Sequence, residues 1–460
     1  MREIHVSAGY IPSILQDTEI SSDVLTFTSE DVSVHVTVPA PTAEELRNLS
    51  LVVKEAQEQV LSLLHTNRLI EIIDEAMLRL LDRGHPVRKE LEQLLPVISG
   101  DSTETVRHAL HETFKMFRKQ ELTRFLASAF RDSSVLDAFT PNMSGGFEKA
   151  IGPRLTTHVW AGNVPGLPLW SFLSNLLVKG GAIGKMASAE PLFIGSICHV
   201  LADVEPKLSN AFAAVWWSGG DEHREQVLFK ESDVVIGYGS NETIEALQQH
   251  VPASAKYIHF GHKLSFSIIA SEALTGDQAE KNAAQTAWDV VCFDQQGCYS
   301  PQVVFVEAGG RTRANEWAEM LFQQLVTKEA HNPSRPIKME EALRVSEWGE
   351  SLAWDEGWHH WRSADGKTSV AYSDGGKLTP SPLYRNIQVV AFHSFEEVLT
   401  ALEPYRRILQ TVGISANRNK LFRWSEQLSQ LGVTRITGVG HMTSPQAGWQ
   451  PDGARCFVNS

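Results

Sequence analysis

The segment Asp294-Gln295-Gln296-Gly297-Cys298-Tyr299-Ser300-Pro301-Gln302 lies between an alanine-rich stretch and an apolar run at residues 303–306. Its reactive group is the thiol of Cys298, which can attack a carbonyl carbon. Gly297 has no side chain to cover the neighbouring backbone, and Ser300-Pro301 favours an irregular turn. Cysteines that serve packing lie among apolar neighbours instead. The segment therefore predicts a reachable thiol on a loop between a helix and a strand, with a purely structural cysteine as the alternative.

Five segments in chain order resemble the LuxC-type acyl-CoA reductases, the reductase component of the bacterial bioluminescence fatty-acid reductase complex, within the aldehyde dehydrogenase superfamily. They are Val159-Trp160-Ala161-Gly162-Asn163-Val164-Pro165, Gly180-Gly181-Ala182-Ile183-Gly184-Lys185, Val235-Ile236-Gly237-Tyr238-Gly239-Ser240, Phe260-Gly261-His262-Lys263 and the segment around Cys298. Residues 405–414, 432–433 and 448–449 also resemble this family. The resemblance rests on the shared order of the segments, since no single one is decisive.

The resemblance implies an α/β fold of the aldehyde dehydrogenase type, with a Rossmann-like cofactor domain, an α/β catalytic domain and a helical N-terminal region. We expect the N-terminal region at residues 1–140, the NAD(P)-binding domain at 141–262 and the catalytic domain at 263–420. A C-terminal segment at 421–460 is expected to serve oligomerisation. Short apolar runs alternate with helical patterns, as in a parallel sheet. The strand candidates are residues 155–159, 182–186, 213–217 and 234–237.

Composition narrows the class of protein. The 460 residues include 41 basic and 55 acidic side chains, for a formal charge of −14. This charge argues against a nucleic-acid binder, because phosphate backbones need a basic face. We expect neither a signal peptide nor a membrane span, since no apolar run approaches about 18 residues. The four cysteines form no Cys-x-x-Cys pair, so we expect reduced thiols in a cytoplasmic enzyme, without disulfides or structural zinc.

Local patterns predict elements of the N-terminal region. Residues 32–38 alternate between apolar and polar side chains, which predicts a strand with one polar face. Thr42 and Glu45 have the spacing of a capping box for a helix that runs to about His65, and Asp101 and Glu104 repeat that spacing less ideally. The helix after Asp101 carries an apolar stripe, which we interpret as core rather than as a partner-binding face. Its members are Val106, Leu110, Phe114, Phe117 and Phe125.

A second α/β block runs over residues 264–392 and is interrupted at 354–372 by a segment rich in tryptophan and histidine. His359 and His360 are adjacent, so in a strand they point to opposite faces and cannot share a metal ion. The interruption therefore predicts a hairpin rather than a metal site.

The resemblance implies a reaction for Cys298. Its thiolate attacks an acyl thioester, the carrier thiol leaves, and a hydride reduces the covalent acyl-cysteine to the aldehyde level. Asn163 is implied as an oxyanion donor beside the backbone amide of Cys298. The alternative is that Asn163 holds the turn before Pro165. The implied partners are an acyl-CoA or acyl-carrier thioester, with a fatty acyl group favoured, an acyl-transferring protein and further copies of this chain.

The resemblance also implies a cofactor site. Gly237, Gly239 and Ser240 form a turn that would aim free helix amides at a pyrophosphate, although Ser240 can also be an N-cap. Lys185 is implied to meet the cofactor ribose.

Cofactor choice depends on the residue three positions after that lysine. NAD-preferring relatives carry a glutamate there, whereas this chain has Ser188. A 2′-phosphate then meets no repelling carboxylate, which favours NADPH over NADH. Glu190 would weaken this inference if its side chain turned toward the ribose.

His259 occupies the position of the general-base glutamate of the hydrolytic aldehyde dehydrogenases. Without a carboxylate to activate water, the acyl-enzyme favours exchange with a thiol over hydrolysis, and a histidine can still move protons near neutral pH. The alternative is a polar residue at a strand end. The family's glutamate that binds the nicotinamide ribose has no clear match near residues 381–384. The sequence thus favours an NADPH-dependent acyl-CoA reductase over an oxidative aldehyde dehydrogenase or a noncatalytic assembly subunit.

Overall fold

A computed structural model describes residues 2–29, 31–164, 166–352 and 358–444. The described residues divide after Gly261 into two compact units, and residues 262–352 and 358–444 form the second. Among the described residues, no helix combines the length and the apolar composition that a membrane span requires.

Unit 1 begins with a small sheet, a set of helices and a hairpin. These are β1 (Arg2–Ser7), β2 (Ser22–Thr28), β3 (Val32–Pro39), α1 (Ala43–Gln59), α2 (Thr66–Leu81), α3 (Pro86–Ser99), α4 (Thr103–Met116), α5 (Lys119–Ala129), β4 (Thr140–Pro141) and β5 (Phe147–Glu148). The sheet has the order β1-β3-β2, with β1 parallel and β2 antiparallel to β3. β3 confirms the predicted strand, and its buried Val34, Val36 and Val38 pack into the core of unit 1.

The start of α1 confirms the predicted capping box. The amide of Thr42 donates to Glu45 Oε2 at 2.5 Å, and the amide of Glu45 donates to Thr42 Oγ1 at 3.3 Å. These bonds satisfy helix amides that have no partner within the helix. The helix ends at Gln59 rather than near His65, because Val60 leaves helical geometry (φ −126°, ψ −64°) and a short 3₁₀ turn follows.

The second predicted cap was wrong. Ser102 caps α4, accepting a 3.1 Å bond from the amide of Thr105, so the cap lies one residue after Asp101. The single predicted helix is also two, because α4 ends at Met116 and Phe125 lies on α5. All the side chains of the predicted stripe are nonetheless buried, which confirms that the stripe is core.

A long-range contact explains the break between these helices. Arg118 Nε donates to Asp74 Oδ1 at 2.6 Å, and the amide of Lys119 donates to the same oxygen at 2.7 Å. Asp74 thus caps the start of α5 and stops α4 from continuing through it.

The rest of unit 1 alternates strands and helices. Its elements are β6 (Thr156–Val159), α6 (Leu167–Leu177), β7 (Ala182–Lys185), α7 (Phe193–Val204), β8 (Phe212–Val215), α8 (Glu222–Glu231), β9 (Val234–Tyr238), α9 (Asn241–His250) and β10 (Lys256–Phe260). The sheet order is β10-β9-β6-β7-β8, with each neighbouring pair parallel. The four strands predicted here are confirmed to within two residues. Parallel strands place their carboxyl ends along one edge, where α/β proteins commonly bind ligands.

Unit 2 has its own sheet, in the order β13-β14-β15-β12-β11-β16-β17. Its elements are β11 (Leu264–Ile269), α10 (Gly276–Val291), β12 (Pro301–Glu307), α11 (Ala314–His331), α12 (Met339–Leu352), β13 (His359–Arg362), β14 (Ser369–Asp374), β15 (Asn386–Phe392), α13 (Phe395–Leu402), β16 (Leu409–Ser415), α14 (Arg418–Leu431) and β17 (Arg435–Thr437). β13 and β14 form the predicted antiparallel hairpin, although Trp354 lies outside the described residues.

The predicted C-terminal segment 421–460 begins inside α14 and includes β17, which joins the sheet of unit 2 beside β16. Residues 445–460 lie outside the described part of the chain.

Candidate active site

Cys298 lies on the connection from α10 to β12, as the sequence predicts. A 3₁₀ turn follows α10 at Cys292–Gln295, and β12 begins at Pro301. Of the cysteines in the described part of the chain, Cys298 is partly exposed, whereas Cys198 and Cys292 are buried. Burial raises the pKa of the Cys198 thiol far above its usual range. The loop therefore presents a thiol that a substrate can reach, and the Cys198 thiol is inert.

A cation near Cys298 was missed by the sequence analysis. Arg435, at the start of β17, donates to the carbonyl oxygens of Met442 at 2.6 Å and His441 at 2.9 Å. Burial lowers the pKa of Arg435, while interactions with Asp289, Tyr299 and Cys298 raise it. A fixed positive charge within electrostatic reach of a thiol favours the reactive thiolate. No local motif marks Arg435, because only the sheet of unit 2 brings it near the loop.

Asp289 of α10 holds the segment that binds this arginine. Its carboxylate accepts from the amides of Gly440 at 2.6 Å and Met442 at 3.1 Å. Burial raises the pKa of Asp289 to about 7, against the opposing effect of these amides. Residues 440–442 are thereby fixed against the helix that leads to Cys298.

The predicted cofactor residues lie along the carboxyl edge of the sheet in unit 1. His259, Gly237 and Val159 face one another across β10, β9 and β6, and Val159 faces Lys185 on β7. With neighbouring strands about 4.8 Å apart, this row runs about 14 Å from His259 to Lys185. The sheet therefore brings together residues that are far apart in the sequence.

Lys185 is buried at the end of β7. Its ammonium lies 5.8 Å from the centroid of the Trp217 ring. Burial lowers the pKa of Lys185, and the carboxylate of Glu225 raises it. A partly desolvated ammonium of this kind binds hydroxyl or phosphate oxygens more strongly than one in bulk water.

Two side chains after Lys185 have separate partners. The hydroxyl of the exposed Ser188 accepts a 3.1 Å hydrogen bond from Trp216 Nε1. Glu190 Oε1 accepts from the amides of Leu192 and Phe193, each at 2.9 Å, at the start of α7. The Glu190 side chain is buried, and burial raises its pKa to about 7. The Glu190 side chain thus points to the start of α7, where it accepts hydrogen bonds from the first helix amides.

The turn after β9 has the geometry of a helix start. Ser240 is the N-cap of α9 and accepts a 3.3 Å bond from the amide of Thr243, while the amide of Gly239 donates to Phe260 O. A Cβ on Gly239 would lie 2.9 Å from Thr243 Cβ, so a side chain there would crowd the turn. Ser240 therefore takes the N-cap role that the sequence allowed, at the N-terminal end of α9 where the helix dipole is positive.

Asn163 and His259 are both exposed. Asn163 follows β6 on the same edge of the sheet, and Pro165, on which its alternative role depends, lies outside the described residues. His259 lies on the edge strand β10, with its ring 5.3 Å from that of Tyr257. Cys298 belongs to unit 2, whereas these residues belong to unit 1.

Comparison with known proteins gives one family and one fold. The family model described as acyl-CoA reductase (LuxC) matches residues 61–458. The long-chain acyl-protein thioester reductase 2 of Photobacterium leiognathi is 24% identical over 67% of this chain and 63% of its own length. The long-chain acyl-protein thioester reductase of Aliivibrio fischeri is 25% identical over 66% of this chain and 62% of its own length. The chain thus spans less than two thirds of each of these relatives.

Solved structures show the same fold at lower identity. An oxidoreductase from Marinobacter aquaeolei superposes with a TM-score of 0.76 at 14% identity, covering 95% of this chain and 91% of the other. Aldehyde dehydrogenase 21 from Physcomitrella patens superposes with a TM-score of 0.72 at 14% identity, covering 97% and 92%. These superpositions confirm the predicted aldehyde dehydrogenase fold.

Proposed function

Because the chain belongs to the LuxC family of acyl-CoA reductases, we propose that it reduces an acyl thioester to an aldehyde through a covalent acyl-cysteine. The observation that carries this proposal is the partly exposed Cys298 thiol on a loop near the half-buried Arg435, in contrast to the buried Cys198 and Cys292. A nucleophilic cysteine has to be reachable, which the partial exposure of Cys298 allows, and a nearby guanidinium favours its thiolate form.

The proposed reaction forms and breaks bonds at one carbon. Cys298 Sγ attacks the thioester carbonyl carbon, the bond from that carbon to the carrier sulfur breaks, and the carrier leaves as a thiolate that takes up a proton. The Asn163 amide donates to the oxyanion that develops in this step. A nicotinamide cofactor, when bound, would supply the hydride for the reduction of the acyl group. Hydride addition leaves an alkoxide on that carbon, and as the alkoxide re-forms the carbonyl, the bond to Cys298 Sγ breaks, the sulfur leaves as a thiolate, and the aldehyde is released. Arg435 favours the thiolate before attack and again on release.

The carboxyl edge of unit 1 fits a dinucleotide. We place the pyrophosphate beside the N-terminal end of α9, where the helix dipole favours an anion, and the close packing of Gly239 against Thr243 keeps a side chain out of the turn. Lys185 would bind the ribose or its 2′-phosphate. We propose NADPH rather than NADH, because Ser188 adds no negative charge and Glu190 is turned onto the start of α7.

His259 supports reduction over hydrolysis. A carboxylate at this position would activate water against the acyl-enzyme, whereas the exposed imidazole on β10 can exchange protons with the departing thiol or with solvent. We propose this proton-transfer role for His259.

Substrate and assembly complete the proposal. We propose a long-chain acyl group, carried on coenzyme A or on an acyl protein, because the relatives are described as long-chain acyl-protein thioester reductases. We also propose a cytoplasmic location, an acyl-transferring partner and a homo-oligomer. Apolar side chains around the hairpin of β4 and β5 are exposed and offer a surface for a second copy: Phe139, Met143, Phe147 and Ile151.

Intact-mass measurement after incubation with a long-chain acyl-CoA tests the proposal directly. The wild-type chain is expected to gain one acyl group, and NADPH should release it as an aldehyde that a hydrazine reagent traps. Cys298→Ala should show neither product, while the matched variant Cys292→Ala should show both. An adduct that persists in Cys298→Ala but not in Cys292→Ala would move the nucleophile to Cys292. The absence of any adduct in the wild-type chain would favour the noncatalytic alternative.

A further inference from the structure

Two left-handed turns without glycine lie in unit 2. Phe293, Asp294 and Gln295 have φ values of 53°, 49° and 62°. The second turn consists of Leu383, Tyr384 and Arg385, with φ values of 75°, 55° and 63°. L-residues visit this region mostly as single residues, since the Cβ atom approaches a backbone oxygen. Three in succession persist only where surrounding contacts hold them, and such strain gathers at functional sites.

The two turns hold each other. Arg385 Nε donates to Asp294 Oδ1 at 2.5 Å, and the amide of Tyr384 donates to Asp294 O at 3.2 Å. The amide of Arg335 donates to Asp294 Oδ2 at 3.0 Å, so both carboxylate oxygens are occupied. Asp294 is 3% exposed and Arg385 is 2% exposed. A side-chain pair and a backbone bond therefore join the turns away from solvent.

Further bonds anchor this pair to rigid elements. Arg385 Nη1 donates to Glu329 on α11 and to the carbonyl oxygen of Asn332 just after that helix. Gln295 Nε2 donates to Pro301 O at 2.9 Å, which closes the loop between the first turn and β12. Cys298 lies within that closed loop, four residues after Asp294.

We propose that Asp294 and Arg385 are positioning residues that hold the turn at residues 293–295 in its left-handed conformation and thereby fix Cys298 for acyl transfer. The proposal rests on the proposed function of Cys298. Without the ion pair, the turn relaxes toward ordinary backbone conformations, and the closed loop carries that movement to the thiol. A displacement of about 1 Å at a reacting atom can slow a reaction a hundredfold.

A merely structural ion pair would affect stability but not the thiol, so the test needs a matched control. Lys420 of α14 donates to Glu272 at 2.7 Å and to Glu307 at 2.5 Å. Glu307 is the last residue of β12, at the opposite end of the strand from the Cys298 loop. Lys420→Met therefore removes an ion-pair network of unit 2 without touching the loop.

The variants are Arg385→Met, Arg385→Lys and Asp294→Asn, each compared with Lys420→Met and the wild-type chain. Single-turnover acylation by a long-chain acyl-CoA gives the acylation rate constant and the apparent Kd for the thioester. Arg385→Met should lower the rate constant by about 10- to 100-fold with Kd changed less than about threefold. Arg385→Lys, which keeps the charge, should recover part of the loss. The acylation rate constant of Lys420→Met should stay within about twofold of the wild-type value, even if its Tm falls as far as that of Arg385→Met.

A second readout needs no substrate. Alkylation of Cys298 by iodoacetamide, followed by peptide mass spectrometry across pH, gives the apparent pKa of the thiol. Relaxation of the loop weakens the interaction with Arg435, so this pKa should rise by roughly half a unit or more in Arg385→Met and in Asp294→Asn. If wild type forms no acyl-enzyme, the proposed function fails and the alkylation profile still decides the positioning role.

Unchanged acylation and an unchanged alkylation profile in a folded Arg385→Met chain would overturn the proposal. Should Arg385→Met not fold, Asp294→Asn decides the same question, because asparagine keeps the volume and the Oδ1 acceptor and removes the charge.

Discussion

Ser265 Oγ donates a 2.7 Å hydrogen bond to the carbonyl oxygen of Cys298. The same hydroxyl accepts a 3.1 Å bond from the amide of Thr411, and the Ser265 side chain is fully buried. The pairing of β11 with β12 and β16 shifts register at Ser265, so backbone groups there depend on a side chain for their partners. One hydroxyl thus ties the loop of the predicted nucleophile to two strands of unit 2.

We predict that Ser265→Ala lowers the free energy of unfolding by about 2 kcal/mol, because it leaves the carbonyl of Cys298 and the amide of Thr411 buried without this partner. Ser300→Ala is the matched control on the same loop. The Ser300 hydroxyl is also fully buried, yet it has no hydrogen-bond partner among the described residues, so its removal should cost less than about 1 kcal/mol. Urea denaturation measures both values, and equal losses in the two variants would contradict the role given to Ser265.

The sequence predicted features that depend on near neighbours in the chain. Apolar runs located four of the five strands in the parallel sheet of unit 1, and the Thr42–Glu45 spacing located the start of α1. The surroundings of Cys298 placed it correctly between a helix and a strand, because glycine, serine and proline constrain the backbone locally. These patterns are readable because their energies come from contacts within a few residues.

Features that depend on distant partners were not predictable. The break between α4 and α5 needs Asp74, which lies 44 positions from Arg118 in the sequence. The left-handed turn before Cys298 needs Arg385, which lies 91 positions from Asp294. Nothing in either local sequence marks these pairs, since a non-glycine turn with positive φ is unfavourable by itself. The three-dimensional fold supplies the contacts that overcome the local preference.

For the oxyanion role, Asn163→Ala is expected to lower turnover of acyl-CoA to aldehyde by about a hundredfold or more. Cofactor affinity should stay nearly unchanged, because the amide is needed mainly while charge develops on the thioester oxygen. Steady-state kinetics and cofactor titration by fluorescence measure the two quantities. A loss of stability with normal turnover in the folded fraction would instead assign Asn163 to the turn before Pro165.

Cofactor preference should respond to charge at position 188. Ser188→Glu places a carboxylate near the proposed site of the 2′-phosphate and should shift the ratio of kcat/KM values toward NADH by roughly 1 to 3 kcal/mol. Ser188→Ala removes the hydrogen bond from Trp216 without adding charge, so it controls for local disturbance. Its NADPH preference should match that of wild type. Equal kcat/KM values for NADPH and NADH in wild type and in Ser188→Glu would show that residue 188 does not determine cofactor specificity.

The buried Glu190 should make stability depend on pH. Burial raises the pKa of this carboxyl from 4.5 to about 7. Between these two pH values the folded chain keeps a proton on Glu190 that the unfolded chain has lost. The contribution of Glu190 to stability is therefore complete below about pH 4.5 and is lost as the pH rises through 7. Glu190→Gln does not titrate and keeps the Oε1 acceptor for the amides of Leu192 and Phe193. Its stability relative to wild type should rise by up to roughly 3 kcal/mol between pH 5 and pH 8, measured by urea denaturation.

Asp289 also titrates near pH 7 but is present in both proteins, so its effect cancels in this stability difference. Glu340→Gln, at an exposed position, is the control, and its stability difference from wild type should not change with pH. If the difference for Glu190→Gln does not change with pH either, the buried carboxyl of Glu190 keeps its ordinary pKa.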